Sequence, residues 1–507
     1  MESGSQMQTS AKMSGLQKRI LAVLMLGTMM SAVDTTIVLL AIPQITNALG
    51  TNLATSIWVI IAYLLVIAIL TTQLGRVGDI FGRGKMFNLG FMVFTVGSIL
   101  CGASGFIGGF LGISAGIYLL IAFRVLQGIG GAMLQANSGA IIADTFERHH
   151  RGKAFGYVAL GWNVGSMLGI VLGGVLTTFA GWPYIFYINL PIGAVALWYG
   201  LRYIKDNEHK NEQLDLKGMA VLSAMLMLIT LGGTEIVSQG ATSLNIAMII
   251  IGFIMLPVFV IIERRVKFPT VDFAVFKNRI LAASMLAALF QGLGYLAVVF
   301  IVIMYLQGVR GLTPLDASLL LIPGYVLSGF TGPYMGRLSD KLGARVLATV
   351  GILLMLATVI LYVFFLTANT SYYLIVLATV ISGIGASMFF PANSSAVMAN
   401  VQGNAFGSAS GLLRMMSNIG TLGSYIITIT VASLAVSSKV AFSVFIGTSD
   451  LSGNISTEFL GGIQAVFIIS AMILVIAALL SVLRGKEQRH QWPNQADGAT
   501  SSNHAAQ

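Results

Sequence analysis

Fourteen stretches of the chain, most of them about 20 residues long and nearly free of charge, leave few choices of fold. They fall near residues 20–43, 54–74, 86–110, 116–143, 155–178, 184–204, 218–237, 243–262, 280–307, 314–335, 346–367, 371–398, 404–436 and 459–483. Twenty helical residues rise about 30 Å, the thickness of a bilayer's hydrocarbon core. No water there can satisfy backbone N–H and C=O groups, so each stretch is expected to be a helix. A transmembrane barrel would show ten-residue segments alternating in polarity, and the sequence has none. With 56% hydrophobic residues the chain also lies beyond the roughly 45–50% apolar usage of soluble domains. An all-α integral membrane protein with 14 transmembrane helices is predicted.

The first apolar run follows Lys18 and Arg19 and passes Asp34 to Pro43 without a cleavage pattern, so it is read as the first span rather than a signal peptide. Lys and Arg favour cytoplasmic loops. If the helices alternate from a cytoplasmic N-terminus, 24 of the 28 Lys and Arg fall on the cytoplasmic side. Arg310 and Lys439 fall outside, and Arg124 and Arg414 lie within spans. Both termini are therefore expected in the cytoplasm and the protein in the inner cell membrane. The net charge of +10 is explained by this topology, so nucleic acid is not an expected partner. A single cysteine, Cys101, excludes an internal disulfide or thiolate cluster, and all five His lie in loops or the tail. With no GxxxxGK[ST] loop and no HExxH helix, neither an enzyme nor a nucleotide-driven pump is expected. No metal or cofactor is expected.

Two internal echoes divide the chain. GRVGDIFGRGK (75–85) returns as GRLSDKLGAR (336–345), with Gly, Arg, Asp and Gly at the same spacing 261 positions later. GIGGAMLQANSGA (128–140) returns as GIGASMFFPANSSA (383–396) with one residue inserted. Each pair is eight spans apart, which fits two six-helix bundles with two helices inserted between them. The expected units are a cytoplasmic tail (1–17), an N-terminal bundle (18–204), a linker with the inserted pair (205–262), a linker with the C-terminal bundle (263–483) and a second tail (484–507).

These residues resemble the major facilitator superfamily, in particular its fourteen-helix drug:proton antiporter branch, which includes exporters of quaternary ammonium compounds and dyes. AVDTTIVLLAIPQI around Asp34 is similar to the branch's first-helix signature, and GRVGDIFGRGK to the superfamily's loop motif. RVLQGIGGA (124–132) resembles the fourth-helix motif with its membrane Arg. WPYIFYINLPIG (182–193) and YLQGVRGLTPLDASLLLIPG (305–324) resemble branch-typical stretches. In helix five, Gly161, Gly165, Gly169 and Gly173 fall four apart on one face, where small residues let helices approach closely, but Ile170 stands where the antiporter motif has Pro. The resemblance implies proton-coupled multidrug efflux of lipophilic or cationic molecules by alternating access, although relatives in the branch also carry metabolites, host-made antibiotics or siderophores. The expected partners are a small-molecule substrate, protons and the bilayer, with a proton gradient as the energy source and the chain acting as a monomer. Uptake by the same machinery, or a non-transporting scaffold or sensor, are the competing readings.

The loop residues Gly75, Arg76, Asp79, Gly82 and Arg83, with Arg337 and Asp340 as counterparts, are candidates for a conformational latch. Asp79 can cap a helix N-terminus or pair with Arg83 or an Arg of a neighbouring helix, a contact made in one arrangement of the halves and broken in another. Three charges sit deep in the spans: Asp34, Arg124 and Arg414. A charge at the bilayer centre costs about 2.5–3.5 kcal/mol or more, so these are expected to face a partner or an aqueous cavity. Counted along the helices, Asp34 lies about 13 Å from Pro43 and Arg124 about 12 Å into span four, so the two can meet. Asp34 is the candidate proton carrier and Arg124 its electrostatic partner, set against a static ion pair that only fixes packing. Arg414, about 15 Å into span 13, is a candidate for packing, substrate contact or charge balance. Gln127, Asn137 and Asn393, on the echoing spans four and twelve, are candidate cavity residues.

Overall fold

The computed structural model describes residues 13–110, 116–206, 214–266, 269–271, 273–401, 406–435 and 453–485. It contains fourteen helices long and apolar enough to cross a membrane. In chain order the long helices are α1 (Gly15–Ala48), α2 (Trp58–Phe81), α3 (Arg83–Phe110), α4 (Gly116–Thr145), α5 (Arg148–Phe179), α6 (Asn189–Tyr203) and α7 (Leu216–Gln239). They continue with α8 (Ser243–Glu263), α9 (Arg279–Met304), α10 (Pro314–Leu342), α11 (Ala344–Phe365), α12 (Tyr372–Ala399), α13 (Phe406–Ala435) and α14 (Gly453–Leu483). The apolar stretches of the sequence are these helices. The first span is longer than the sequence suggested, because α1 runs through Pro43 to Ala48.

Local chemistry sets the helix ends. Ser14 and Gln17 form a capping box at the start of α1, each side chain bonding the other's backbone N–H. The charged loop predicted between α2 and α3 is a single residue, Gly82, at φ +112°. Gly343 between α10 and α11 repeats it at φ +92°. Both glycines take a backbone conformation that disfavours side chains, so the echo in sequence is an echo in geometry.

Gln17 Nε2 donates to Thr145 O at 3.3 Å, and Arg279 Nε to Leu483 O at 2.8 Å. The starts of α1 and α9 therefore lie beside the ends of α4 and α14, on the face that carries the Gly82 and Gly343 turns; we call it the charged face. The helices at the interface between halves are α1, α2, α4 and α5 from one side and α9, α10, α12 and α13 from the other. At the opposite face Gln307 Nε2 donates to Leu40 O at 3.3 Å, in a π-helical turn, Tyr305–Val309, that ends α9. The inserted helices pack on each other, and α7 packs on α13, where Thr430 Oγ1 donates to Gly233 O at 3.1 Å. Most of α8 is exposed, as a lipid-facing helix requires.

Candidate functional site

The first-helix acid and the fourth-helix cation meet, as their depths predicted. Asp34 Oδ2 lies 2.6 Å from Arg124 Nη1, and both side chains are out of solvent, at 0% and 1% exposure. Gln127 Nε2 donates to the other carboxylate oxygen at 2.7 Å, and Asn189 Nδ2 reaches it at 3.4 Å. Ser98 Oγ ties the two amides together, accepting from Gln127 at 2.6 Å and from Asn189 at 3.2 Å. Asp34 is thus held by groups from α4 and α6, with α3 behind them.

Arg124 has support beyond Asp34. Its Nε donates to Val59 O at 2.7 Å and its Nη1 to Gln127 Oε1 at 2.6 Å. The guanidinium carbon sits 4.2 Å from the centre of the Tyr63 ring and 5.7 Å from that of Phe186. Aromatic faces attract a desolvated cation. These groups hold the guanidinium independently of the carboxylate.

The packing around the acid depends on the glycine series of α5. A methyl group on Gly161 would stand 3.0 Å from Met25 O; on Gly165, 2.5 Å from Met29 O; on Gly173, 2.9 Å from Ile37 O. On Gly169 it would meet Thr36 Oγ1 at 2.0 Å. All four residues lie against α1, so the four-residue spacing is the seat of the helix that carries Asp34. Thr36 Oγ1 spans the same seam to Ser166 O at 3.2 Å.

At the charged face Asp79 does not cap a helix; it pairs with Arg83, Oδ1 to Nε 2.5 Å. Arg83 Nη1 also binds Asp144 at the end of α4 at 2.6 Å. The cap falls to Asp206, whose Oδ1 accepts the backbone N–H of Gly84 at 2.7 Å and of Lys85 at 3.2 Å, at the positive end of α3. A side chain on Gly82 would strike Asp206 at 2.6 Å. Arg76 donates to Pro269 O, and Gly75 packs on Ala136 of α4. Arg337 and Asp340 occupy the equivalent turns of α10, and their side chains lie outside the described residues.

The candidate cavity residues divide. Gln127 belongs to the Asp34 network and is fully buried there. Asn137 braces α4, donating to Met133 O at 2.9 Å and reaching Leu74 O of α2 at 3.4 Å. Asn393 bridges α12 to Ser284 O of α9 at 3.1 Å and accepts from Arg484. Burial on helix seams, not cavity exposure, explains these three. Arg414 borders a gap too tight for a water molecule, with Thr28 and Ser31 of α1 and Gln135 and Ser138 of α4.

Sequence reasoning missed Asn189, Ser98, Asp144 and Asp206. Asn189 sat within a quoted family stretch, WPYIFYINLPIG; the others gave no signal until the helices were assembled.

This is the architecture of a membrane transporter, two helical halves around a polar interface, and the sequence comparison agrees. Residues 24–425 match the Major Facilitator Superfamily, and the chain belongs to that family. It is a multi-pass membrane protein and a transporter, not an enzyme. The chain is 30% identical over 469 residues to multidrug resistance protein 3 of Bacillus subtilis, spanning 91% of this chain and 88% of that one. It is 29% identical over 405 residues to the riboflavin transporter RibZ of Clostridioides difficile, spanning 79% and 85%. The fold is similar to a bacterial homolog of the human lysosomal transporter Spinster in an inward-facing, unoccupied conformation, with TM-score 0.63, 16% identity and coverage of 93% and 98%.

Proposed function

We propose that the chain is a proton-coupled antiporter that exports lipophilic small molecules by alternating access between its two six-helix halves. The observation that carries this reading is the Asp34–Arg124 pair, sealed from solvent and supplied with substitute partners for the cation. A carboxylate in that setting changes its proton affinity when its distance from the guanidinium changes, since the nearby cation favours the charged form and desolvation the neutral one. Rocking of the halves changes the access of water to the pair, and a movement of α1 against α4 within the N-terminal half changes that distance. In this cycle Asp34 binds a proton on one side and releases it on the other, Arg83 latches Asp79 to Asp144 in one arrangement, and the α5 glycines keep α1 seated throughout. A relative named for multidrug resistance supports efflux as the direction of transport.

The test is proton movement in liposomes containing the purified protein and a trapped pH dye. Addition of a lipophilic dye to wild-type protein should drive proton flux. Asp34→Asn should lower that flux at least tenfold while downhill dye exchange continues. Undiminished coupling in Asp34→Asn removes the carrier assignment. Accumulation of dye with the proton gradient, rather than against it, assigns uptake instead.

A further inference from the structure

Two arginines at the charged face share one aromatic ring. The guanidinium carbon of Arg19, near the start of α1, lies 5.0 Å from the centre of the Tyr203 ring at the end of α6. That of Arg202 lies 5.9 Å from the same centre and 5.8 Å from the centre of the Trp198 ring. Tyr199 joins the aromatic set, 4.8 Å from Trp198 and 5.7 Å from Tyr203. The two helices run side by side here: a methyl group on Gly200 of α6 would stand 3.6 Å from Val23 of α1. Arg19, Arg202 and Trp198 are all exposed.

This positive charge has no internal partner. Among the described residues neither arginine has a carboxylate within 4 Å, and neither donates a hydrogen bond to another described residue. Asp206, the acid nearest to Arg202 along the chain, accepts from the Gly84 and Lys85 backbone and lies 4.0 Å from Lys85 Nζ. Lys18, next to Arg19, and Lys205, just past the end of α6, are exposed and add to the charge. Aromatic rings take the faces of the guanidinium groups and leave the N–H edges for an acceptor. Phosphate oxygens match that edge geometry.

Topology requires only that Lys and Arg stay on one side of the membrane. It does not require two arginines from different helices to meet over one ring with no acid to neutralise them. Their place indicates the occupant. Trp and Tyr favour the level of lipid headgroups, and on the membrane side of Arg202 the preceding turns of α6 expose Val195 and Trp198. We infer that the start of α1 and the end of α6 bind an anionic phospholipid, with Arg19 and Arg202 on its phosphate and Val195 and Trp198 along an acyl chain. The lipid clips the helix that carries Asp34 to α6. This site goes beyond the transport reading and stands whichever substrate the protein carries.

Quenching of Trp198 reads the site. Full-length protein in dodecylmaltoside is titrated with phosphatidylglycerol or phosphatidylcholine brominated on the acyl chains, and the quenching lost in Trp198→Phe is assigned to Trp198. Half-quenching should need at least tenfold less phosphatidylglycerol than phosphatidylcholine. Arg19→Gln combined with Arg202→Gln should bring the two lipids within threefold of each other. Arg279→Gln, which removes a cation at the start of α9 on the same face, should keep the full preference. Equal quenching by the two lipids in wild type, or a preference retained in the double variant, overturns the inference and leaves the arginines as topology anchors. If the double variant does not fold, the wild-type preference and a loss of at least threefold in each single variant decide. Glycerol 1-phosphate at the lipid's concentration should displace none of it; equal competition assigns the site to soluble phosphate esters and overturns the lipid.

Discussion

At the scale of single residues, the Asp34–Arg124 contact has a cost that can be measured. Removing one partner of a buried pair leaves an uncompensated charge and typically destabilises by about 3–5 kcal/mol. Arg124 retains Val59 O, Gln127 Oε1 and the Tyr63 face, so Asp34→Asn should fall near the lower end, about 3 kcal/mol. Adding Arg124→Gln should recover much of the lost thermal stability without restoring proton flux. A double variant no more stable than Asp34→Asn, followed by the fluorescence of heated protein, would show that the two charges are not coupled. Arg124 was legible in the sequence because an Arg eight residues into an apolar helix demands a partner. Asn189 and Ser98 were not, since a neutral polar group declares its partner only when the neighbouring helix is in place.

At the scale of the helix, α5 provides its own control. Gly165 has no room for a methyl group, whereas Gly156, on the same helix, has nothing within 4 Å. Gly165→Ala should push α5 from α1, lowering thermal stability and transport together, and Gly156→Ala should leave transport unchanged and raise stability by up to about 1 kcal/mol. Equal effects at the two positions would mean the glycine spacing reflects helix propensity alone, worth about 1 kcal/mol per residue. The four-residue period was visible in sequence, but its neighbour was not: the same spacing fits any helix. The Gly82 turn shows the converse. Sequence expected Asp79 to be one candidate cap for a helix, yet the chain places Asp206, 122 residues from Gly84, at the N-terminus of α3. Asp79 is left to Arg83 because the two fall four apart across a one-residue turn.

At the scale of the whole molecule, the halves touch at both faces. Near the charged face a side chain on Gly139 would meet Ser410 Oγ at 2.6 Å; toward the opposite face, one on Gly174 would meet Ser318 Oγ at 2.3 Å. Such approaches are within reach of a disulfide after small backbone shifts. In a Cys101→Ser background, Gly139→Cys with Ser410→Cys, or Gly174→Cys with Ser318→Cys, should halt transport on oxidation and regain it on reduction. Full transport by either oxidised pair would sink rocking between halves as the mechanism.

The sequence alone determined the number of helices, their membrane setting, the internal duplication and the depths that let Asp34 and Arg124 meet. Each follows from a one-dimensional constraint, since lipid tolerates only self-satisfied helices and penalises every lone charge. Tertiary structure alone decided that Gln127, Asn137 and Asn393 are seam residues rather than cavity walls, that Asp144 and Asp206 complete the charged turn, and that Arg414 lies beside the Trp162 ring. Those outcomes depend on how each helix is rotated about its axis against neighbours far away in the chain, and a polar side chain in a span looks the same in sequence whichever way it turns.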